Sequence, residues 1–372
     1  MGAFGGGDWV AAVARCPKRM AHGPCAGVDA DGSCEVPGFG PCSFLEPLVA
    51  GWPDAGAPRT GAVFGRPGTS MVSSASAAFL AAAAARPVVV ADLPAPALSA
   101  RGLRDSAREL ADAVDACLLG DHGGARTQFP SSYRARLLAD EGIAVWAGVN
   151  CRDRNRVALE GEIAACVDAG VVGLHCVTGD HPLTGHRPDA APVFDLDSVE
   201  TLELARSRGV LCSVAHAPAA PPVRHRLARL LTKVDAGADV VFVDHCGGLA
   251  AVADAVAGLR ATGFGGLVLV CVPVVTNAAS AEVIRSFAGA RLPRGYLERI
   301  ERAPDPATAG VEASVELTRA MLGVAGVDGV NLSGGTHPGE ELEAARAMAD
   351  ISRQAVAARP AQPAWPGCVG AS

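Results

Sequence analysis

Eight short apolar runs, each followed by a stretch with helical patterning, constrain this chain more than any other feature. The runs are "PVVVADL" (87–93), "DACLLGD" (115–121), "IAVWAGVN" (143–150), "VVGLHCVTGD" (171–180), "VLCSVAHA" (210–217), "DVVFVDHC" (239–246), "GLVLVCVPVV" (266–275) and "DGVNLSGG" (328–335). Between them lie segments such as "RNRVALEGEIAACVDAG", "VRHRLARLLTKVDAGA" and "GLAAVADAVAGLRATG", with apolar residues at helical spacing and a Gly near the end as a stop signal. Strands that are apolar throughout, rather than alternating, are buried on both faces, which describes a parallel sheet covered by helices. Eight such units over about 250 residues match the count and length of a (β/α)8 barrel. A doubly wound open sheet is the alternative, but no G-x-G-x-x-G follows the first run. The long stretch between the seventh and eighth runs, roughly 277–326, is expected to hold two helices.

The composition suits such a fold. Of 372 residues, 49% are hydrophobic and 19% charged, while aromatics make up only 4%, so the core must be built from Val, Leu and Ala. The net charge is -7 with no basic block, which argues against nucleic acid as a partner. No apolar run reaches the ~20 residues that a bilayer requires, so no membrane role is expected. The first residues lack the basic and apolar regions of a secretory signal. Twelve cysteines without such a signal point to the cytoplasm, where thiols stay reduced and clustered cysteines serve metal binding rather than disulfides.

Four of those cysteines, Cys16, Cys25, Cys34 and Cys42, follow the spacing C-x8-C-x8-C-x7-C. Small and turn-forming residues flank them in "GPCAG", "DGSC" and "PGFGPC". Such neighbours let backbone N–H groups approach the sulfurs and stabilise thiolate charge. Four thiolates could hold one zinc ion or one [4Fe-4S] cluster; the plain alternative is a flexible tail with incidental cysteines. The Gly/Pro/Ser-rich stretch from Val49 to Ser74 reads as a linker. The expected organisation is a Cys-rich metal-binding module over 1–46, a linker over 47–74, a barrel over 75–358 and a flexible tail over 359–372.

A barrel of this kind places its site at the carboxyl ends of the strands. The runs end in Asp92; in Asp121 and His122; in Asn150, Cys151, Arg152 and Asp153; and in Thr178, Gly179, Asp180 and His181. His216, Asp244 with His245, Thr276 with Asn277, and Asn331 with Ser333 follow the remaining four. A scaffold needs no such polar ring for stability, so it points to a small-molecule site, although any one member could simply cap a strand end. The histidines and acids could also converge on a metal, but neither H-x-H nor H-E-x-x-H occurs. The absence of a G-x-S-x-G elbow and a P-loop removes the common hydrolase and kinase readings.

The segments "CRDRNRVALEGEIAACVDAGVVGLHCVTGDHP", "PVFDLDSVETLELA", "RLPRGYLERIERA" and "GVEASVELTRAMLGVAGVDGVNLSG" resemble the core of the methylenetetrahydrofolate reductase family. "CPKRMAHGPCAG…GSCEV…C" resembles the cysteine module that accompanies some of its members, with Ala26 in place of a Gly and Phe44 in place of a Trp. The resemblance implies a flavin-containing (β/α)8 barrel, with FAD or FMN, that passes hydride from NAD(P)H or another donor to the methylene group of a folate. It implies Asp92 as general acid, where the family has Glu, and Asp180 as the acid of the strand-four "GD". Asn150, Cys151, Arg152, Thr178, Gly179 and Asp180 would contact the cofactor. Asp244 and His245 would meet the substrate, where the family has Thr-Gln and an aromatic nearby. Gly148 stands where a His is frequent. The four thiols match as ligands of zinc or [4Fe-4S].

Two functions therefore stand: a methylenetetrahydrofolate reductase-like oxidoreductase of one-carbon metabolism, or a non-catalytic folate- or pterin-binding barrel partner with a structural metal module. A folate, a redox or methyl-transfer protein and a second copy of the chain are the partners these readings allow.

Overall fold

The structure is a computed structural model of the chain and describes residues 6–45, 72–121, 125, 127–286 and 290–356. Eight parallel strands close into a barrel in sequence order. They are β1 (Val88–Asp92), β2 (Ala116–Leu119), β3 (Val145–Asn150), β4 (Gly173–Val177), β5 (Leu211–His216), β6 (Val240–Val243), β7 (Leu267–Pro273) and β8 (Gly329–Ser333). Closure is set by β8 against β1, with Val90 opposite Asn331. Each strand falls inside one of the eight apolar runs.

Side-chain alternation along the strands divides the core in two. Val88, Val90, Leu118, Trp146, Leu211, Phe242 and Leu269 point into the barrel. Their neighbours Val89, Ala91, Leu119, Val330 and Leu332 point outward under the helices. Trp146 is the largest interior side chain and donates its indole N–H to Ser213 Oγ at 2.9 Å. Gly173 is obligatory beside it, since a Cβ there would lie 2.6 Å from the indole ring.

The N-terminal mouth is closed by α2 (Ser74–Ala85), which follows the module helix α1 (Gly6–Arg15). Phe79 of α2 packs edge-to-face on Trp146, and Ser76 Oγ donates to Val172 O at 2.6 Å. Three acids brace this end. Asp115, Asp239 and Asp328 each precede a strand and accept the backbone N–H of the neighbouring strand, at Val89, Cys212 and Val268 respectively.

The outer layer follows the chain: α3 (Ala100–Leu110), α4 (Ser131–Ala139), α5 (Arg156–Asp168), α6 (Ser198–Ala205), α7 (Arg226–Ala236) and α8 (Leu249–Ala261). Between β7 and β8 the described residues form three helices where two were expected: α9 (Ala278–Arg285), α10 (Tyr296–Glu301) and α11 (Pro306–Leu322). The division comes from Gly295, in a left-handed conformation before α10, and from Asp305, whose carboxylate caps α11 just ahead of Pro306. The last helix, α12 (Glu341–Ala355), packs on α3 and α11 and completes the ring.

The cysteine module has a small core of its own, in which Ala12, Met20 and Phe44 are buried and Trp9 packs edge-on to Phe44. Most of the expected linker and all of the expected 359–372 tail lie outside the described residues. No helix among the described residues is long and apolar enough to cross a membrane.

Candidate active site

A cavity of about 390 Å³ opens at the C-terminal mouth of the barrel. Asp92, at the end of β1, lines it, and its Oδ1 accepts a hydrogen bond from Asn331 Nδ2 at 3.1 Å. Burial pushes the Asp92 carboxyl up to about 7; the Asn331 bond opposes that shift and the Asp244 charge adds to it. Asp180, Asp121 and Asp244 line the same cavity. Asp121 is held by Gln128 (2.6 Å), Asn150 (2.8 Å) and Arg152 (2.7 Å). Asp244 Oδ1 accepts the backbone N–H of His245, whose ring shares a 2.9 Å hydrogen bond with Ser333. Burial lowers the His245 pKa, against the pull of Asp244.

A second cavity of about 260 Å³ shares Asp121, Asp180, Ala215 and Asp244 with the first. One wall is α7, whose Arg226, Arg229 and Lys233 fall on one helix face at spacings of three and four. Lys233 Nζ donates to Ala215 O at 2.7 Å, and burial, with Arg229 and Arg226 adding, draws its pKa down to about 7. Burial, with help from Lys233 and Arg226, takes His216 down to about 3. Arg229 is 4% exposed, yet its Nε and Nη1 have no hydrogen-bond partner among the described residues. Buried unpaired donors beside an open cavity suit an anionic ligand group, so the residues present fit the phosphate of a flavin nucleotide.

The opposite wall is the cysteine module, through Lys18, Cys25 and Gly27. It is seated by long-range contacts. His22 Nδ1 lies 3.0 Å from Asp197 Oδ2, Glu35 Oε1 accepts the backbone N–H of His181 at 3.0 Å, and Arg226 donates to Pro24 O at 3.3 Å. His22, Asp197 and Glu200 lie close enough to hold a metal ion, but these groups already serve one another. Glu200 takes the N–H of Asp197 in the capping box of α6, and Arg229 stands 3.7 Å from Asp197. That cluster is a latch.

All four thiols, Cys16, Cys25, Cys34 and Cys42, line one cavity of about 10 Å³ inside the module, walled also by Met20 and Phe44. The donor set is sulfur-only, but no three of the four sulfurs lie within 4.8 Å of one another, a spread wider than that of four-coordinate zinc and suited to the larger [4Fe-4S] core. Lys18, Arg226 and Arg229 all lie within electrostatic reach of Cys25 and would balance the thiolate charge. Cys25 lines both this cavity and the second cavity of the barrel.

The residues expected from sequence divide clearly. Asp92, Asp180, Asp244 and His245 line the first cavity, and Thr178, Gly179 and Asp180 the second. Gly179 has φ +86°, and a Cβ there would press on Asn150 at 3.1 Å. Asn150 and Arg152 lie behind the cavities and act on Asp121 instead. Cys151 is not where a cofactor contact requires it. Strand alternation turns it outward, fully buried, with Sγ 3.0 Å from Thr201 Oγ1. His122 lies outside the described residues. The basic face of α7 and the partnering of Asn331 went unassigned. The signal for the first was three cations on one face of a helix whose other face is apolar.

A closed parallel barrel with acids gathered round a cavity at the carboxyl ends of its strands defines a (β/α)8 protein. The family model described as methylenetetrahydrofolate reductase matches residues 108–333, more than half of the chain. A second, described as methylene-tetrahydrofolate reductase C terminal, matches residues 6–48, here ahead of the barrel. The chain belongs to the methylenetetrahydrofolate reductase family. β1 and Asp92 precede the matched span, and their place is set by pairing with β2 and β8. A search of curated proteins finds no match. Solved structures offer distant likeness. 2,3-Dimethylmalate lyase, a PEP mutase/isocitrate lyase superfamily member, is 15% identical over 62% of this chain and 89% of that one, with a TM-score of 0.39. Phosphonopyruvate hydrolase, in complex with oxalate and Mg++, is 13% identical over 59% and 80%, with a TM-score of 0.38. At that distance the likeness says nothing of chemistry.

Proposed function

We propose that this chain reduces the methylene group of a methylenetetrahydrofolate to a methyl group, with Asp92 as general acid. The observation that carries the reading is that Asp92 and Asp180 share one cavity at the C-terminal mouth. A carboxyl raised to about 7 keeps a proton available near neutrality. Asp92 would deliver that proton to the aminobenzoyl nitrogen of the folate as its bond to the bridging methylene carbon breaks, leaving a methylene iminium on the pterin-ring nitrogen. The Asp180 carboxylate, on the same wall system, would stabilise the cation. One hydride added to the iminium carbon completes the methyl group; a reduced flavin, when bound, supplies it. Arg229 and Lys233 would hold the flavin's phosphate, and Thr178 and Gly179 would let the ligand approach the backbone.

The module would bring a metal centre to the wall of the same site through Cys25, as an electron path if it is [4Fe-4S] or as a clamp if it is zinc. A redox or methyl-transfer protein would then meet the chain on the module side. The seating of the module across the mouth also favours a second reading, a non-catalytic folate-binding partner. One set of measurements separates the two: the absorbance spectrum of the purified protein, its iron and zinc content, and oxidation of NAD(P)H or a dye donor with methylenetetrahydrofolate. A flavin band and a methyl product support the reductase. Folate binding without flavin and without turnover from any donor would leave the partner reading.

A further inference from the structure

We propose that Asn331 both positions Asp92 and reads an N–H group of the bound heterocycle through its side-chain oxygen. The inference rests on Asp92 being the acid of the proposed reaction. Asn331 stands in β8 between Val90 of β1 and Cys271 of β7, with its side chain turned into the barrel. It is 2% exposed and lines the first cavity. Its Nδ2 donates to Asp92 Oδ1 at 3.1 Å and lies 3.8 Å from Cys271 Sγ. The other end of the amide, Oδ1, is buried and has no partner among the described residues.

A buried acceptor left unpaired costs about 1–3 kcal/mol, whereas Val90, opposite Asn331 on β1, fills the interior at no such cost. The fold alone therefore does not account for an amide here. A ligand in the cavity shared with Asp92 that presents an N–H to this oxygen does, and a reduced pterin ring carries such donors. One amide then couples recognition to acid strength. Its N–H groups stabilise the Asp92 carboxylate, while its oxygen is satisfied only when the ring is seated. The other charged or titratable groups of this cavity are Asp121, Asp180, Asp244, Cys271, His175, His245 and Arg134. Of these, Asp244 is the one whose charge raises Asp92.

The test uses the full chain with Asn331→Ala and Asn331→Asp, and Asp92→Asn as reference. Binding of 5-methyltetrahydrofolate is measured by calorimetry and the pH dependence of kcat by turnover. Asn331→Ala opens only onto an existing cavity, and circular dichroism checks that it folds. It should weaken folate binding by about tenfold or more. It should also move the alkaline limb of kcat upward, because a bond favouring the charged form of Asp92 is gone. Asn331→Asp keeps an acceptor oxygen and should bind folate far more nearly like wild type, while its added charge also moves the limb upward. Unchanged folate affinity in Asn331→Ala overturns the recognition half; a limb that stays put in both variants overturns the positioning half. If Asp92→Asn turns over normally, the acid assignment fails instead, and the calorimetry still decides what Asn331 Oδ1 does. Should Asn331→Ala fail to fold, affinity and limb position in Asn331→Asp decide both halves.

Discussion

Glu35 of the cysteine module accepts a hydrogen bond from the backbone N–H of His181, the residue directly after Asp180, at 3.0 Å. The same carboxylate pairs with Lys18, whose ammonium also faces Asp180 and Cys25. The module is thus tied to the segment that carries a candidate catalytic acid.

Glu35→Gln tests that tie. The two side chains are 4% and 10% exposed, so removing the charge strands a buried ammonium. Breaking a buried pair this way costs about 3 kcal/mol, at the low end of the usual range because Asp180 still faces Lys18. Urea unfolding of wild type and variant measures it. A loss within the range of a surface ion pair would mean that the module is not seated through this carboxylate.

The His22–Asp197 latch predicts a pH signature. The bond to Asp197, offset by burial, raises the His22 pKa from 6.5. A raised pKa means that the pair's contribution is present in full below 6.5 and is lost as pH rises through the higher value of the folded state. The stability difference between wild type and His22→Ala should therefore be largest in mildly acid solution and shrink in alkaline solution. Asp197 shifts downward on balance, so its own contribution fails only in strong acid. A difference independent of pH would show that the two groups do not couple.

Asp92→Ala should lower kcat by roughly 10²–10⁴-fold. In wild type, kcat should fall as pH rises through about 7, where the raised carboxyl gives up its proton. Burial raises this group from 3.8, so its contribution against folding builds as pH rises from there to about 7 and persists above, and the variant should unfold no earlier than wild type there. Activity and thermal unfolding on the same samples separate a lost acid from a lost fold. Near-normal turnover would remove Asp92 from the mechanism.

Cys25→Ser should lose the metal, as measured by iron and zinc content per chain, while the barrel's far-ultraviolet dichroism persists. All four thiols line one small cavity, and a hydroxyl is a poor substitute for a thiolate ligand. Full retention of metal would mean that fewer than four sulfurs hold it.

Much of this arrangement was readable along the chain. Each strand is a short apolar run, and the acids that end β1 and follow β4 fall on one mouth because parallel strands all point the same way. Position relative to a strand carried the distinction: Asp115, Asp239 and Asp328 precede strands and brace the closed end, whereas Asp92, Asp180 and Asp244 end or follow them and line the cavity. What escaped is set by contacts remote in sequence. No local signature ties Glu35 to His181, or Asn331 to Asp92, since in each case the partners meet only when the barrel closes. Cys151 sits against Thr201 under the helices, a contact that no local pattern announces.

The cationic wall of the second cavity makes the last prediction. Lys233 titrates at about 7 with the site open, because burial and the neighbouring Arg229 and Arg226 disfavour its charge, while Asp197 partly offsets them. An anion seated against it would favour the protonated form, so binding should take up a proton, and affinity should fall as pH rises through about 7. FMN and riboflavin separate this effect from ring stacking, since riboflavin has no phosphate. FMN affinity, followed by flavin fluorescence, should drop with pH, and riboflavin affinity should stay level. Arg229→Met should weaken FMN by about 10–100-fold, the worth of a lost charge-assisted hydrogen bond in a buried site, and leave riboflavin nearly unchanged. If both flavins respond alike, the phosphate does not sit against α7, and the buried guanidinium serves the thiolate centre beside it instead.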